Sequence, residues 1–257
     1  MLKRRLWLFL SLLAVTGFVS GEVCLAQKPE AVESFKMGMS YKLQGSNFQA
    51  REKLQEALKI DPNYHQARVE LAGVYADLNM LPEALTELKK ASKSAQKVPK
   101  LRCYQGLVNY KLGLEVWTNL VQNHPEYLFK DKGTVKFIKE GLPAETQIDK
   151  LKKKIERDTT NLEARHELRG MYYEVAIAEL SKAIKEAAKD TLANLTLGLV
   201  YLERGRKDLA LKQQALLEKI DPKTATDLKN MINFVEEGKK EWEKELKERN
   251  LVPPGKK

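Results

Sequence analysis

Two stretches of the chain that lie far apart carry the same spacing of residues, and this repetition constrains the fold more than any other feature. One stretch ends at Asp61-Pro62-Asn63 and the other at Asp221-Pro222-Lys223. The residues 5, 8, 12, 21 and 24 positions before the first proline are Ala57, Leu54, Ala50, Tyr41 and Gly38. The same distances before the second proline give Leu217, Gln214, Ala210, Tyr201 and Gly198. Repetition of this kind indicates an array of similar units.

Each stretch is predicted to form two helices, joined at Gly45 in the first and at Gly205 in the second. Gly38 and Ala50 are small enough to let the paired helices approach closely, and Tyr41 would fill the space beside them. Composition agrees, because Leu, Lys, Glu and Ala are abundant and all favour helix. Almost no segment alternates apolar and polar residues as a strand does. The sequence therefore predicts an all-α protein.

These residues resemble the tetratricopeptide-repeat family, whose 34-residue pattern runs Trp-x2-Leu-Gly-x2-Tyr, then Ala-x3-Phe, then Pro. Residues 31–64 match at Met37, Gly38, Tyr41, Ala50, Leu54, Ala57 and Pro62. Residues 65–98 match at Leu71, Ala72, Tyr75, Ala84, Leu88 and Ala91, with Gln96 in place of the proline. Residues 191–224 match at Leu197, Gly198, Tyr201, Ala210 and Pro222. The resemblance implies a right-handed α-α superhelix, a TPR-like solenoid.

The middle of the chain fits the pattern less well. Residues 99–127 and 162–190 fit if each turn is about five residues short, and residues 128–161 have the right length but few matches. With these three degenerate or short units the array runs without a gap from residue 31 to residue 224, giving about twelve repeat helices. Gly113 is predicted to break the helix in 99–127. No glycine or proline lies between Tyr172 and Leu180, so 162–190 forms either a hairpin or one bent or continuous helix.

Residues 225–249 are predicted to form a helix that caps the array, since an array needs a closed end. Its apolar face is marked at spacings of three, four and seven by Leu228, Met231, Ile232, Val235, Trp242 and Leu246. Residues 250–257 contain two prolines and a glycine and are predicted to be a flexible tail.

The N-terminus has the pattern of a secretory signal peptide. Lys3, Arg4 and Arg5 precede an uncharged 14-residue stretch, which is short for a membrane span of about 20 residues. We expect cleavage after Ala26, with Gly21 as the other possible site, and an exported protein that is periplasmic or secreted. The alternative is an uncleaved N-terminal anchor. Once residues 1–26 are removed, Cys103 is the only cysteine, so no internal disulfide can form.

The sequence shows no arrangement of residues that would support catalysis. His65, His124 and His166 occupy unrelated places in the repeats, and Gly170 stands where a zinc-protease helix would have its second histidine. There is no glycine-rich phosphate loop and no haem attachment motif. Cys103 is read as a packing residue. We therefore expect no enzyme activity, no metal, no cofactor and no small-molecule substrate.

The leading hypothesis is an exported scaffold or adaptor that holds a peptide or helix of another protein. The resemblance implies that the first helix of each repeat lines a concave groove. Carried onto this sequence, the groove residues are Phe35, Met39, Lys42, Val69, Gly73, Asp77, His166 and Tyr173. Phe35 and Met39 stand where the family's clamp for acidic C-termini has polar residues, so that clamp is not predicted. Some of the apolar members could instead pack against the next repeat.

The alternative hypothesis is a structural or assembly factor of the cell envelope that docks through a basic face. The chain carries a formal net charge of +10. Seven basic residues and no acids lie between Lys89 and Leu114. They are Lys89, Lys90, Lys93, Lys97, Lys100, Arg102 and Lys111. This run is either a solvated helix face or a patch for an acidic partner or an anionic envelope surface. Nucleic acid is not expected as a partner of an exported protein.

Overall fold

A computed structural model of the chain describes residues 27–94, 97–123 and 143–248. All regular secondary structure in these segments is helical. The helices are α1 Pro29–Leu43, α2 Asn47–Ile60, α3 His65–Asp77, α4 Leu81–Ala91, α5 Leu101–Asn123, α6 Ala144–Arg157, α7 Leu162–Glu186, α8 Thr191–Glu203, α9 Lys207–Leu217 and α10 Pro222–Glu248. The prediction of an all-α solenoid is confirmed. The predicted signal peptide, residues 124–142 of the predicted repeats and the predicted tail lie outside the described residues.

Three helix pairs coincide with the repeats read from the sequence: α1 with α2, α3 with α4, and α8 with α9. The turn inside each pair needs one residue with left-handed backbone. Gly45 has φ 74° and Gly205 has φ 66°, while Asn79 takes the same position in the second repeat with φ 58°. Glycine adopts this conformation without strain, and asparagine tolerates it better than most residues. The turn chemistry therefore fixes where each pair folds back.

The contacts between pairs define an inner and an outer side of the array. The inner row is continuous, because α1 contacts α3, α3 contacts α5, α5 contacts α8 and α8 contacts α10. Helices α2, α4, α7 and α9 contact the inner row but not one another. Helices that touch their equivalents lie on the shorter, concave side of a curved array, and helices that are splayed apart lie on the convex side. In the described residues, the concave side is thus formed by α1, α3, α5, α8 and α10.

The third unit differs from the prediction. Gly113 does not break its helix, because α5 continues from Leu101 to Asn123. The alternative left open for 162–190 is decided in favour of one continuous helix, α7, from Leu162 to Glu186. Neither helix folds back on itself because the two pack along each other.

The packing between α5 and α7 reproduces the packing inside the first repeat. In that repeat a Cβ added to Gly38 would lie 2.8 Å from Leu54 Cγ. At the same register in the third unit, a Cβ on Gly106 of α5 would collide with Leu180 of α7. Helices α5 and α7 are therefore the first and second helices of one repeat, and the segment between them is an insertion. The described chain contains four repeats, where the sequence had suggested six.

The two helices of this split repeat are longer than those of the other repeats and carry a small core of their own. Helix α5 has 23 residues and α3 has 13, a difference of about 15 Å at 1.5 Å per residue. Helix α6 of the insertion packs on the N-terminal half of α7. The buried residues of this core are Ile148, Leu168, Met171 and Tyr172. Helix α6 and the added lengths of α5 and α7 thus form a three-helix extension at one edge of the array.

Helix α10 covers the end of the fourth repeat and begins at Pro222, inside the predicted last repeat. Asp221 caps its N-terminus by accepting hydrogen bonds from the Thr224 amide at 3.3 Å and hydroxyl at 2.8 Å. Leu228 and Ile232 are buried, and the Leu228 side chain packs on Gly198. Met231 was predicted on this buried face but is 46% exposed. The side chains at positions 242 and 246 lie outside the described residues.

Candidate partner-binding surface

The first and the fourth repeats place apolar side chains at identical positions of their inner helices. In α1 these residues are Val32, Phe35 and Met39, and in α8 they are Leu192, Leu195 and Leu199. They stand at the second, fifth and ninth residues of their repeats, on one side of the helix. All six are partly accessible, and Leu192 reaches 36%. We call the two sets the α1 triad and the α8 triad.

Phe35 contributes to packing as well as to the surface. Its ring lies 5.0 Å from the ring of Tyr64, measured between centroids, in a tilted arrangement. It also packs against the core of the first two repeats. Met39 is partly accessible and Asp77 is exposed. These three predicted groove residues keep a surface that a partner could contact.

Three predicted groove residues are interior and present no side chain to a partner. Val69 is fully buried in α3. Gly73 faces the side chains of Lys42 and Tyr104, so its Cα is covered. Tyr173 is fully buried against Gly113. For Val69 and Gly73 the physical reason is that neighbouring inner helices fill the space between them with their own side chains. Tyr173 is buried because it packs between the two helices of the split repeat.

The two predicted groove residues on α7 do not lie on the concave side. His166 and Tyr173 lie on the second helix of the split repeat, outside the concave row. Arg169, one turn before Tyr173, stacks with its guanidinium 3.6 Å from the centre of the Trp117 ring and 5.2 Å from that of Tyr173. This cationic stack joins α7 to α5. It is a packing element of the extension.

A polar network joins the inner helices of the first three repeats. Lys42 Nζ of α1 donates to Glu70 Oε2 of α3 at 2.7 Å and to the Tyr104 hydroxyl oxygen of α5 at 2.7 Å. The Tyr104 hydroxyl donates to Glu70 Oε2 at 3.1 Å. Lys100 Nζ lies 3.4 Å from Glu70 Oε1. Lys42, a predicted groove residue, is thus held by contacts within the chain.

Burial and the neighbouring groups set the protonation states of Glu70 and Tyr104 in this network. Burial acts to raise the pKa of Glu70, but the Lys42 and Lys100 ammonium groups and the hydrogen bonds outweigh it, so the pKa lies below its ordinary value. Burial raises the pKa of Tyr104, and the neighbouring Glu70 raises it further. Glu70 is therefore ionised and Tyr104 is a neutral hydrogen-bond donor at neutral pH.

Family models match the chain in two segments. Residues 43–102 match one tetratricopeptide-repeat model and residues 161–224 match a second. The helix pairs in these two segments and their shared register agree with the matches. The chain contains tetratricopeptide repeats.

Several solved structures match the chain at low identity, and two of them, TTC0263 and YrrB, are described as tetratricopeptide-repeat proteins. TTC0263 of Thermus thermophilus is 19% identical, with 80% of this chain and 98% of that chain covered and a TM-score of 0.44. YrrB, described as having an unusual peptide-binding site, is 16% identical, with 78% and 92% covered and a TM-score of 0.32. MamA is 20% identical, with 77% and 94% covered and a TM-score of 0.28. A comparison with curated proteins gives no match.

The residues of the basic run are largely paired with acids, most of which lie in other helices. Arg102 donates to Glu186 at 2.8 Å and to Glu179 at 2.9 Å. The Nζ atoms of Lys89, Lys90, Lys97 and Lys100 lie within 4 Å of carboxylates of Glu145, Glu87, Glu186 and Glu70. Lys111 donates to the carbonyl oxygen of Ala76 at 2.8 Å. Lys93 is exposed. The structure thus surrounds the predicted patch with compensating charge.

Sequence reasoning missed the α8 triad, although its signal was present. Leu192, Leu195 and Leu199 occupy the register of the α1 triad, which the repeat alignment already contained. Among the described residues, no group of three His, Cys, Asp or Glu side chains is placed to hold a metal ion. No helix in those residues combines the length and the apolar character that a membrane span requires.

Proposed function

We propose that this protein is an interaction scaffold that holds a peptide or helix of another protein along its concave side. Tetratricopeptide repeats generally serve as protein-interaction scaffolds, and two segments of the chain match models of such repeats. The observation that carries the proposal is the pair of accessible apolar triads at matching positions of α1 and α8. Apolar side chains repeated on one side of a solenoid provide anchors for a partner.

The spacing of the triads gives the length of segment that would contact both. Three steps along the inner row, α1 to α3, α3 to α5 and α5 to α8, separate them. Packed helices lie about 8–10 Å apart, so the two triads are separated by roughly 25–30 Å. A partner helix of about 20 residues, or an extended segment of about nine, covers that distance. The proposed partner therefore carries apolar side chains near both ends of such a segment.

Site-specific photocrosslinking tests the proposal. A photoreactive amino acid would replace Met39 in the α1 triad and Leu199 in the α8 triad, in the protein expressed in its own source. Matched variants would carry it at Lys59 of α2 and at Leu211 of α9, which are exposed on outer helices. We expect crosslinks to one protein from both inner positions and none from the outer ones. Crosslinks confined to the outer positions, or equal at all four, would overturn the proposal.

We also propose that the scaffold acts outside the cytoplasm, on the basis of the basic start and the short apolar stretch at the N-terminus. Intact-mass measurement of the protein recovered from its source tests this directly. A mass that corresponds to a chain beginning at residue 27 is expected. A full-length chain in the membrane fraction would instead show an uncleaved anchor, and a full-length chain in the cytosol would exclude export.

A further inference from the structure

Glu70 is a carboxylate held on the concave side by donors from neighbouring repeats. Its side chain is 6% exposed and lies on the inner helix of the second repeat. Lys42 reaches it from the first repeat, and Lys100 and Tyr104 reach it from the third. The ion pairs of Glu87 in α4 differ, since its partners Arg68 and Lys90 belong to its own repeat.

Two of the three donors around Glu70, Lys42 and Tyr104, are positioned by contacts that do not involve Glu70. Lys42 Nζ donates to the Tyr104 hydroxyl oxygen and lies 4.8 Å from the centre of the Tyr104 ring. Gly73 leaves the room in which these side chains meet, because a Cβ there would lie 2.9 Å from Lys42 Nζ and 2.7 Å from Tyr104 Cζ. Tyr104 is itself buried. A site that keeps its donors in place without the carboxylate is preorganised for any carboxylate of suitable size.

We infer that Lys42, Lys100 and Tyr104 form a carboxylate-binding site, and that in the free protein its occupant is the chain's own Glu70. Two ammonium groups and one phenol hydroxyl converge on a single carboxylate, which leaves a net positive charge around it. Lys100, half exposed, gives the site access to solvent. The consequence for specificity rests on the proposed function: the middle of the concave side accepts no carboxylate from a partner because Glu70 already fills the place.

The test is rescue of Glu70→Ala by formate. Thermal unfolding would be followed by circular dichroism in sodium formate and in sodium chloride of equal ionic strength. Formate should bind between the freed donors and raise the melting temperature of Glu70→Ala above its value in chloride by about 2–4 °C, since a ligand bound by the native state alone stabilises it. The wild-type protein should melt at the same temperature in both salts, because its site is occupied.

Two further variants separate a site from a general salt effect. Lys42→Met/Glu70→Ala lacks the central donor and should lose the formate response. Glu87→Ala also removes a partly buried carboxylate from two cations, but there Arg68 keeps its hydrogen bond to the carbonyl oxygen of Pro62 and Lys90 can turn into water. It should therefore respond equally to both salts. A formate response that persists without Lys42, or is as large in Glu87→Ala, would overturn the inference.

The remaining outcomes also decide the question. If Glu70→Ala does not fold in chloride, formate should restore its helical signal, and failure to do so counts against the site. Absence of any formate response in a folded Glu70→Ala counts against it too. The proposed function fails separately, because crosslinks at Met39 and Leu199 do not depend on formate binding. Either result can be negative while the other is positive.

Discussion

Gly106→Ala should destabilise the protein, because the third repeat depends on close contact between α5 and α7. The new Cβ would collide with Leu180 Cγ and lie 2.8 Å from its Cδ2, where carbon atoms normally keep about 3.5–4.0 Å. Leu180 is fully buried, and Cγ is the branch point of its side chain, so it cannot swing aside. The helices must separate or Leu180 must leave its rotamer.

The expected magnitude is the difference between two effects. Alanine favours helix over glycine by about 1 kcal/mol, and overpacking a well-filled core costs about 1–3 kcal/mol or more. For contact with the branch carbon we take the upper part of that range, which gives a net loss of about 2 kcal/mol. This corresponds to a melting temperature about 4–8 °C lower for a domain of 150–250 residues, measured by circular dichroism.

Gly238→Ala is the matched control, because a Cβ at this exposed position of α10 meets nothing within 4 Å. It should be neutral or stabilising by up to about 1 kcal/mol. A second control is Gly106→Ala in a Leu180→Ala background, where the obstructing atoms are gone and the glycine substitution should no longer destabilise. If Gly106→Ala melts like Gly238→Ala, or if its penalty persists without Leu180, then α5 and α7 are not the paired helices of one repeat.

Four further predictions concern single positions. Ala50→Trp and Ala210→Trp should each cost roughly 1–3 kcal/mol or more, since both alanines are fully buried between paired helices; unchanged melting would contradict the register. Phe35→Ala should weaken partner binding by about 2 kcal/mol, measured by titration. It should lower the free energy of unfolding, measured in urea, by less than the roughly 3–5 kcal/mol lost when a core phenylalanine is replaced. Unchanged binding with a large loss of stability would show that the ring is only structural. Burial and the neighbouring Asp190 raise the pKa of Cys103 to about 12. The thiol of the native protein should therefore not react with a disulfide reagent at pH 8, whereas the thiol of the urea-unfolded protein should. Rapid reaction of the native protein would contradict the burial of Cys103. Because the pKa of Glu70 is lowered, its network stabilises the fold fully above the ordinary glutamate pKa of about 4.3 and loses this contribution as the pH falls further. The melting temperature should therefore drop more between pH 7 and pH 3 in the wild-type protein than in Glu70→Gln. Equal drops would show that the network carries no pH dependence.

The helical class and three of the four repeats follow from the amino-acid sequence alone. It could do so because the signals are local: Gly45 and Gly205 turn the chain, and Ala50 and Ala210 recur at fixed distances from them. Helix pairs joined by three residues bury their apolar faces against their nearest neighbours in sequence. The α1 triad was also visible in this register, in the form of Phe35 and Met39.

Only the tertiary structure decided the pairing of α5 with α7, the buried state of much of the predicted groove and the compensation of the basic run. Gly106 and Leu180 belong to one repeat but are separated by an insertion, and no local spacing reveals a contact between residues so far apart in sequence. Likewise, Lys100 and Arg102 stand in a segment without acids, yet Glu70 of α3 and Glu186 of α7 neutralise them. A periodic sequence pattern fixes which face of a helix is apolar. Which helices cover that face, and which charged side chains lie beside it, depends on the helices that the fold brings together.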